Sequence, residues 1–126
     1  MPLVKIHLRQ GKTPEYIRAV ADAVHEALVA HANVPADDRF QLIREYPPDD
    51  IIAHPSYAGV TRTADLIIIE ITLNTGRTLE IKKDLYAGIA RRLENDPGVR
   101  SDDVLVNLVE VAKENWSFGR GLATYG

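Results

Sequence analysis

The chain carries one pattern twice, and a duplicated unit constrains a fold more tightly than composition can. Placing Gly11-Lys12-Thr13 on Gly76-Arg77-Thr78 brings Ile6 and Leu8 onto Ile71 and Leu73 without a gap. The same shift brings Leu28 onto Leu93, Val34 onto Val99, Asp37-Asp38 onto Asp102-Asp103 and Glu45 onto Glu110. Conservative pairs fill the intervals, such as Val20 with Leu85 and Val24 with Ile89. The copies cover about 2–46 and 66–111 of a single domain spanning 1–126. Their sharpest asymmetry is Pro2, which heads the first copy where the second carries Ile67.

Each copy reads as strand, helix, strand. From Leu3 to Arg9 the residues alternate, with Val4, Ile6 and Leu8 on one side and Lys5, His7 and Arg9 on the other, which is the period of a strand with one apolar face. Gly11 interrupts it. Thr13 can cap a helix that opens on Pro14, where a missing N–H costs least, and Ile17, Val20, Val24, Leu28 and His31 follow at helical spacing. Val34-Pro35 ends that helix, and Asp37-Asp38 leads into a second strand over Arg39 to Tyr46. The second copy repeats the order: a strand from about Leu66 to Leu73, and Thr78 capping a helix with Ile81, Leu85, Ile89 and Leu93 on one face. Asp96-Pro97-Gly98 then stops the helix before a last strand over Val104 to Val111. Residues 47–63 form the bridge between copies and 112–126 a tail.

A helical crossover of this length joins parallel strands. The expected fold is therefore α+β / α/β: two tandem β-α-β units making one four-stranded sheet, with both helices on one face. Ile67 to Ile69 and Val104 to Val106 are apolar on consecutive positions, as in strands covered on both sides. A second subunit would provide that cover in a symmetric homo-oligomer; the bridge or the tail is the alternative.

Composition excludes several functions. The formal charge of −3 lacks the basic excess of a nucleic-acid binder. With no cysteine there is no disulfide, thiolate metal site or thiol nucleophile. No apolar run reaches a membrane-spanning length and no signal-peptide core is present, so the expected location is cytoplasmic. The four histidines show no metal-ligand spacing and read as surface or helix-flank residues, and neither Gly11 nor Gly76 belongs to a phosphate-cradling motif. No metal or cofactor is expected.

Four features can carry chemistry. Removal of Met1 would leave Pro2 with a free secondary amine, whose ordinary pKa near 8 lies far below that of lysine. Pro2 shares parity with Val4, Ile6 and Leu8; desolvation there favours the neutral base, while a nearby carboxylate favours the ammonium. Its structural reading is a proline at the first position of a strand. Arg77 lies beside a helix N-terminus and offers a two-pronged donor for a carboxylate, or, like Lys12 in the first copy, a solvated charge on a turn. Asp38 can orient an acid–base partner or hold a water, although the repeat of Asp37-Asp38 as Asp102-Asp103 also fits turn chemistry. Trp116 and Phe118 are the sole tryptophan and one of two phenylalanines, and they can dock the tail or wall an apolar pocket.

Pro2 opening the first strand, the Gly-Lys-Thr turn, Val34-Pro35-Ala36-Asp37-Asp38-Arg39-Phe40-Gln41, Arg77 in its Gly-Arg-Thr turn and Trp116-Ser117-Phe118-Gly119 together resemble the tautomerase superfamily over essentially the whole chain. The last two stretches resemble its malonate semialdehyde decarboxylase branch. The resemblance implies a homotrimer of fused β-α-β units acting without a cofactor on a small carboxylate-bearing substrate, with no nucleic acid or membrane as partner. Pro2 would be the general acid or base, Arg77 the carboxylate anchor and Asp38 the residue assisting Pro2 or activating water; Trp116 and Phe118 would line the pocket. The branch carries two arginines close together before the second helix, whereas this chain reads Asn74-Thr75-Gly76-Arg77. The single arginine favours keto–enol tautomerisation over decarboxylation of a 3-oxo acid or hydration of an unsaturated one. A non-catalytic oligomeric binding protein on the same fold is the reading from another class.

Overall fold

Period-two alternation places Val4, Ile6 and Leu8 in the core from a strand β1 at Leu3–Arg9, within a computed structural model that describes residues 1–125. The helix α1 spans Pro14–His31, opened by Thr13, whose hydroxyl accepts from the Tyr16 N–H at 3.1 Å, with Pro14 at its first position. β2 follows at Phe40–Tyr46, one residue inside the expected start. The second copy gives β3 at Ile67–Asn74, α2 at Leu79–Asn95 and β4 at Val104–Val111. Thr78 caps α2 through the Ile81 N–H at 3.2 Å, as Thr13 caps α1. Gly11 and Gly76 precede those caps with φ of 115° and 135°, conformations in which a side chain is strained, and this accounts for glycine recurring at the turn.

The sheet order is β2-β1-β3-β4, with β1 parallel to β2, β3 parallel to β4 and the two copies joined antiparallel through β1 and β3. Both helices lie on one face, where Val20, Val24, Leu28, Leu85, Ile89 and Leu93 close over Ile6, Ile69 and Ile71. A Cβ at Gly88 would collide with the His31 ring, so that glycine sets how closely the helices approach. No described helix is long and apolar enough to cross a membrane.

The opposite face carries Leu42, Lys5, Glu70 and Asn107 in register across the strands. Leu42 is 56% exposed there, and Phe40 and Val109 are also exposed. Among the described residues, neither bridge nor tail covers the centre of this face, where Lys5, Leu42 and Asn107 are exposed, contrary to the alternative weighed for them. The bridge is instead tied to one end of the sheet by Arg9, whose guanidinium donates to Pro48, Ala64 and Ile51 carbonyls at 3.0, 3.2 and 2.8 Å. His7, expected as a plain surface residue, joins Tyr46 at 2.5 Å and Glu70 at 2.6 Å on the open face.

Candidate active site

The strand directions decide what meets what. Leu3 lies opposite Phe40 on one side and Thr72 on the other, and Asn74 lies opposite Val111. The starts of β1 and β2 and the ends of β3 and β4 therefore share one end of the sheet. Pro2 precedes β1, Asp38 precedes β2, Arg77 follows β3, and Trp116 and Phe118 follow β4. Residues far apart in sequence thus converge without any loop having to reach across the molecule.

Pro2 is buried at this end. The amino group of Met1 donates to the Asp38 carboxylate and pairs with it. Asp38 also donates its own N–H to Pro35 O at 3.0 Å, so turn geometry and an encounter with the chain's amine are served by one residue. The segment holding Asp38 is fastened to α1 from both sides. Arg39 donates to Asp22 at 2.7 Å and to Gln41 at 2.9 Å, Gln41 donates to Ala21 O at 2.8 Å, and His25 Nε2 lies 2.8 Å from Ala36 O. The Arg39 hydrogen bond holds the Asp22 carboxyl below its ordinary pKa.

Arg77 is half-buried, and the structure gives it a task that the solvated-charge reading left out. Its Nε and Nη2 donate to Ala32 O at 3.1 and 2.8 Å, and Nη1 donates to Asn74 O at 3.3 Å. The guanidinium thereby ties the end of α1 to the β3–α2 turn. Among the described residues, three of its five N–H groups are used, and one on each terminal nitrogen remains for another acceptor.

Trp116 donates its indole N–H to Asn74 Oδ1 at 2.6 Å, and the Asn74 amide in turn donates to the Met1 sulfur. Trp116 stacks on Phe118 with centroids 5.3 Å apart and planes 12° apart; Phe118 packs against Phe40 at 5.6 Å and edge-on to Tyr125 at 6.0 Å. The tail is thus held at this end of the sheet by one aromatic cluster. A groove of about 840 Å³ lies elsewhere, between the outer faces of α1 and α2, and is lined by charged residues including Arg18, Asp22, Glu26 and Arg91.

All five expected residues, Pro2, Asp38, Arg77, Trp116 and Phe118, lie at this end of the sheet. Asn74 and Phe40 join them and were not anticipated from the sequence. Asn74 has a faint signal, being a polar residue closing a strand otherwise rich in isoleucine, but its partners come from both ends of the chain. Phe40 shows only as one apolar residue in an exposed-looking strand.

This fold, with an amine, a carboxylate and a guanidinium gathered at one end of the sheet, has close counterparts among known proteins. The tautomerase enzyme family matches residues 38–119, and a second tautomerase enzyme family matches residues 2–60. A probable tautomerase of Bacillus subtilis strain 168, YusQ, is 42% identical over 98% of this chain and 97% of its own. The crystal structure of FG41 malonate semialdehyde decarboxylase inhibited by 3-bromopropiolate superposes with a TM-score of 0.92. It is 41% identical over 98% of this chain and 93% of that one. A symmetric trimer of fused 4-OT gives 0.80 at 27% identity, over 98% and 96% of the two chains. The chain belongs to the tautomerase superfamily, in its malonate semialdehyde decarboxylase-like branch, and is an enzyme of that superfamily.

Proposed function

We propose that the enzyme moves a proton between oxygen and carbon of a small keto or enol carboxylic acid, using the amine of Pro2 freed by removal of Met1. The observation that carries the amine mechanism is the meeting of the chain's amino group with Asp38 at the sheet end that also holds Arg77 and Trp116, and the single arginine there favours proton transfer over decarboxylation. The Pro2 nitrogen is one residue along from that amine, about 3.8 Å of chain. A neutral Pro2 would take the enol hydroxyl proton and return a proton to the neighbouring carbon, leaving no net change in protons. Arg77 would hold the carboxylate through its two unused N–H groups, and Trp116 with Phe118 would exclude water from one side.

A second reading is decarboxylation of a 3-oxo acid such as malonate semialdehyde. The likeness to FG41 malonate semialdehyde decarboxylase favours it, as does the carboxylate of Asp38 facing the amine, since a nearby anion stabilises a protonated Pro2. Hydration of an unsaturated acid would draw on the same protonated state. The trimer belongs to this proposal as well: the exposed Phe40, Leu42 and Val109 on the open sheet face would be buried between subunits, as in a symmetric oligomer.

The test is ketonisation of enol phenylpyruvate, followed by ultraviolet absorbance, beside carbon dioxide release from malonate semialdehyde. Wild type and Pro2→Ala are compared after intact mass has established removal of Met1. Activity that collapses in the mutant supports the amine mechanism, and the assay that responds selects the reaction. Equal rates in processed wild type and mutant would remove Pro2 from the mechanism. Inactivity in both assays would turn the search to hydration of an unsaturated acid.

A further inference from the structure

The segment that carries Asp38 is held on α1 by a polar latch that the duplicated unit does not need. Ala36 before it and Arg39 after it are pinned to successive turns of one helix face. His25 Nε2 lies 2.8 Å from Ala36 O, and Arg39 forks onto Asp22 at 2.7 Å and Gln41 at 2.9 Å. Gln41 closes the network by donating to Ala21 O at 2.8 Å. Under the shift that superposes the repeats, Asp22, His25, Arg39 and Gln41 fall on Ala87, Ala90, Val104 and Val106. The second copy thus builds the same strand–helix–strand unit with no polar side chain at those four positions, and its Asp103 is held directly by Thr63 and Arg100. The Arg39–Asp22 pair is also too exposed to contribute much to stability. What the first copy has and the second lacks is an amine for its aspartate to meet.

We propose that Arg39 is a positioning residue: locked to Asp22 and Gln41, it fixes the backbone that follows Asp38 and so keeps that carboxylate turned to the chain's amine. The inference rests on the reading of Pro2 as the reacting amine once Met1 is removed. A carboxylate stabilises an ammonium strongly only at short range, so a displaced Asp38 would leave the Pro2 amine easier to deprotonate. Arg39 thereby sets, through Asp38, the pH at which that amine changes state. The other charged or titratable groups at this end are Asp37 and Arg77, with Tyr125 in the tail; on the α1 side the latch faces Arg18, 3.5 Å from Asp22, and His25. Charge alone and position predict different outcomes. By charge alone, removing the Arg39 cation would raise the amine's affinity for a proton, and removing the Asp22 anion would lower it. Loss of position lowers it in both.

The test is the ¹⁵N resonance of Pro2 titrated with pH in Met1-free protein, which requires no turnover, beside the pH profile of kcat/KM. Asp38→Asn is expected to lower the amine's proton affinity roughly 10-fold or more. Arg39→Lys, which keeps the charge and loses the fork, and Asp22→Asn should each lower it about 3-fold, and the matching limb of the rate profile should move to lower pH with it. Combining the two changes should lower it no further, since either one opens the same latch. Melting temperatures close to wild type show that each variant folds. A Pro2 titration unmoved in Arg39→Lys, or moved upward in Arg39→Met, beside a lowered one in Asp38→Asn would overturn the role of Arg39 and leave the contact between Asp38 and the amine standing. An Asp38→Asn titration equal to wild type would overturn both. If the latch variants lower the titration while Pro2→Ala stays as active as wild type, the positioning role holds and the amine mechanism falls.

Discussion

The two ends of the sheet descend from one pattern and have become different objects. At one end Asp38 stands before β2 with its carboxylate turned to the chain's amine. At the other, its repeat partner Asp103 stands before β4 with no exposed surface, accepting from the N–H and hydroxyl of Thr63 at 2.7 and 2.6 Å and from Arg100 at 3.4 Å. Arg77 reaches α1 carbonyl Ala32 O and keeps donors in reserve, whereas its counterpart Lys12 is paired with Asp65 at 2.6 Å. Asn74 meets the tail through Trp116; its counterpart Arg9 is consumed in fastening the bridge. One end spends its polar groups on covering segments. The other leaves an amine, a carboxylate, an amide and a guanidinium with donors to spare. Chain connectivity accompanies the difference: Ile67 continues from the bridge, while β1 follows Met1, whose amino group meets Asp38.

Matched substitutions at the two ends would break or sharpen this contrast. The largest effect is expected for Pro2→Ala, a loss of about 10²–10⁴-fold in kcat/KM with little change in melting temperature. Ile67→Ala, at the corresponding place, should do the opposite: its buried side chain leaves a cavity worth about 2–5 kcal/mol in denaturant unfolding, with kcat nearly intact. A catalytic loss in Ile67→Ala equal to that in Pro2→Ala would dissolve the distinction. Asp38→Asn should likewise act on turnover, whereas Asp103→Asn should cost about 1–3 kcal/mol of stability by unbalancing its buried hydrogen bonds. Chemical denaturation beside steady-state kinetics separates them.

Next in size is Arg77→Lys, which keeps the charge and loses the two-pronged geometry. It should raise KM for a carboxylate substrate roughly 10-fold, while Lys12→Arg leaves KM unchanged. The smallest effects are those of pH on the ion pairs at each end. Arg39 depresses the Asp22 carboxyl, so that pair's stabilisation is present above the unfolded value of about 3.9 and disappears as pH falls through the folded value. The hydrogen bond to Asp65 raises Lys12, whose contribution is complete below about 10.4 and fades as pH rises through the folded value. Both pairs are solvent-exposed and worth at most about 1 kcal/mol each. Melting curves of Asp22→Asn and Lys12→Met should therefore merge with wild type only at the acid and alkaline limits respectively.

The repeat, the alternation in β1 and the threonine caps were legible in order because they are local. Each depends on residues within a few positions, and a strand or helix period repeats the same physical requirement until it is unmistakable. The resemblance also singled out Pro2, Asp38, Arg77, Trp116 and Phe118, because each sits in a short stretch that matches the family's own pattern. Asn74 and Phe40 were illegible for the opposite reason: an asparagine ending a strand and a phenylalanine opening one acquire meaning only from what lies across the sheet. By itself, the sequence determined two β-α-β units and the residues able to do chemistry. Only the antiparallel pairing of β1 with β3 decided that these residues share one end, because strand direction is set by packing the two units under a common layer of helices.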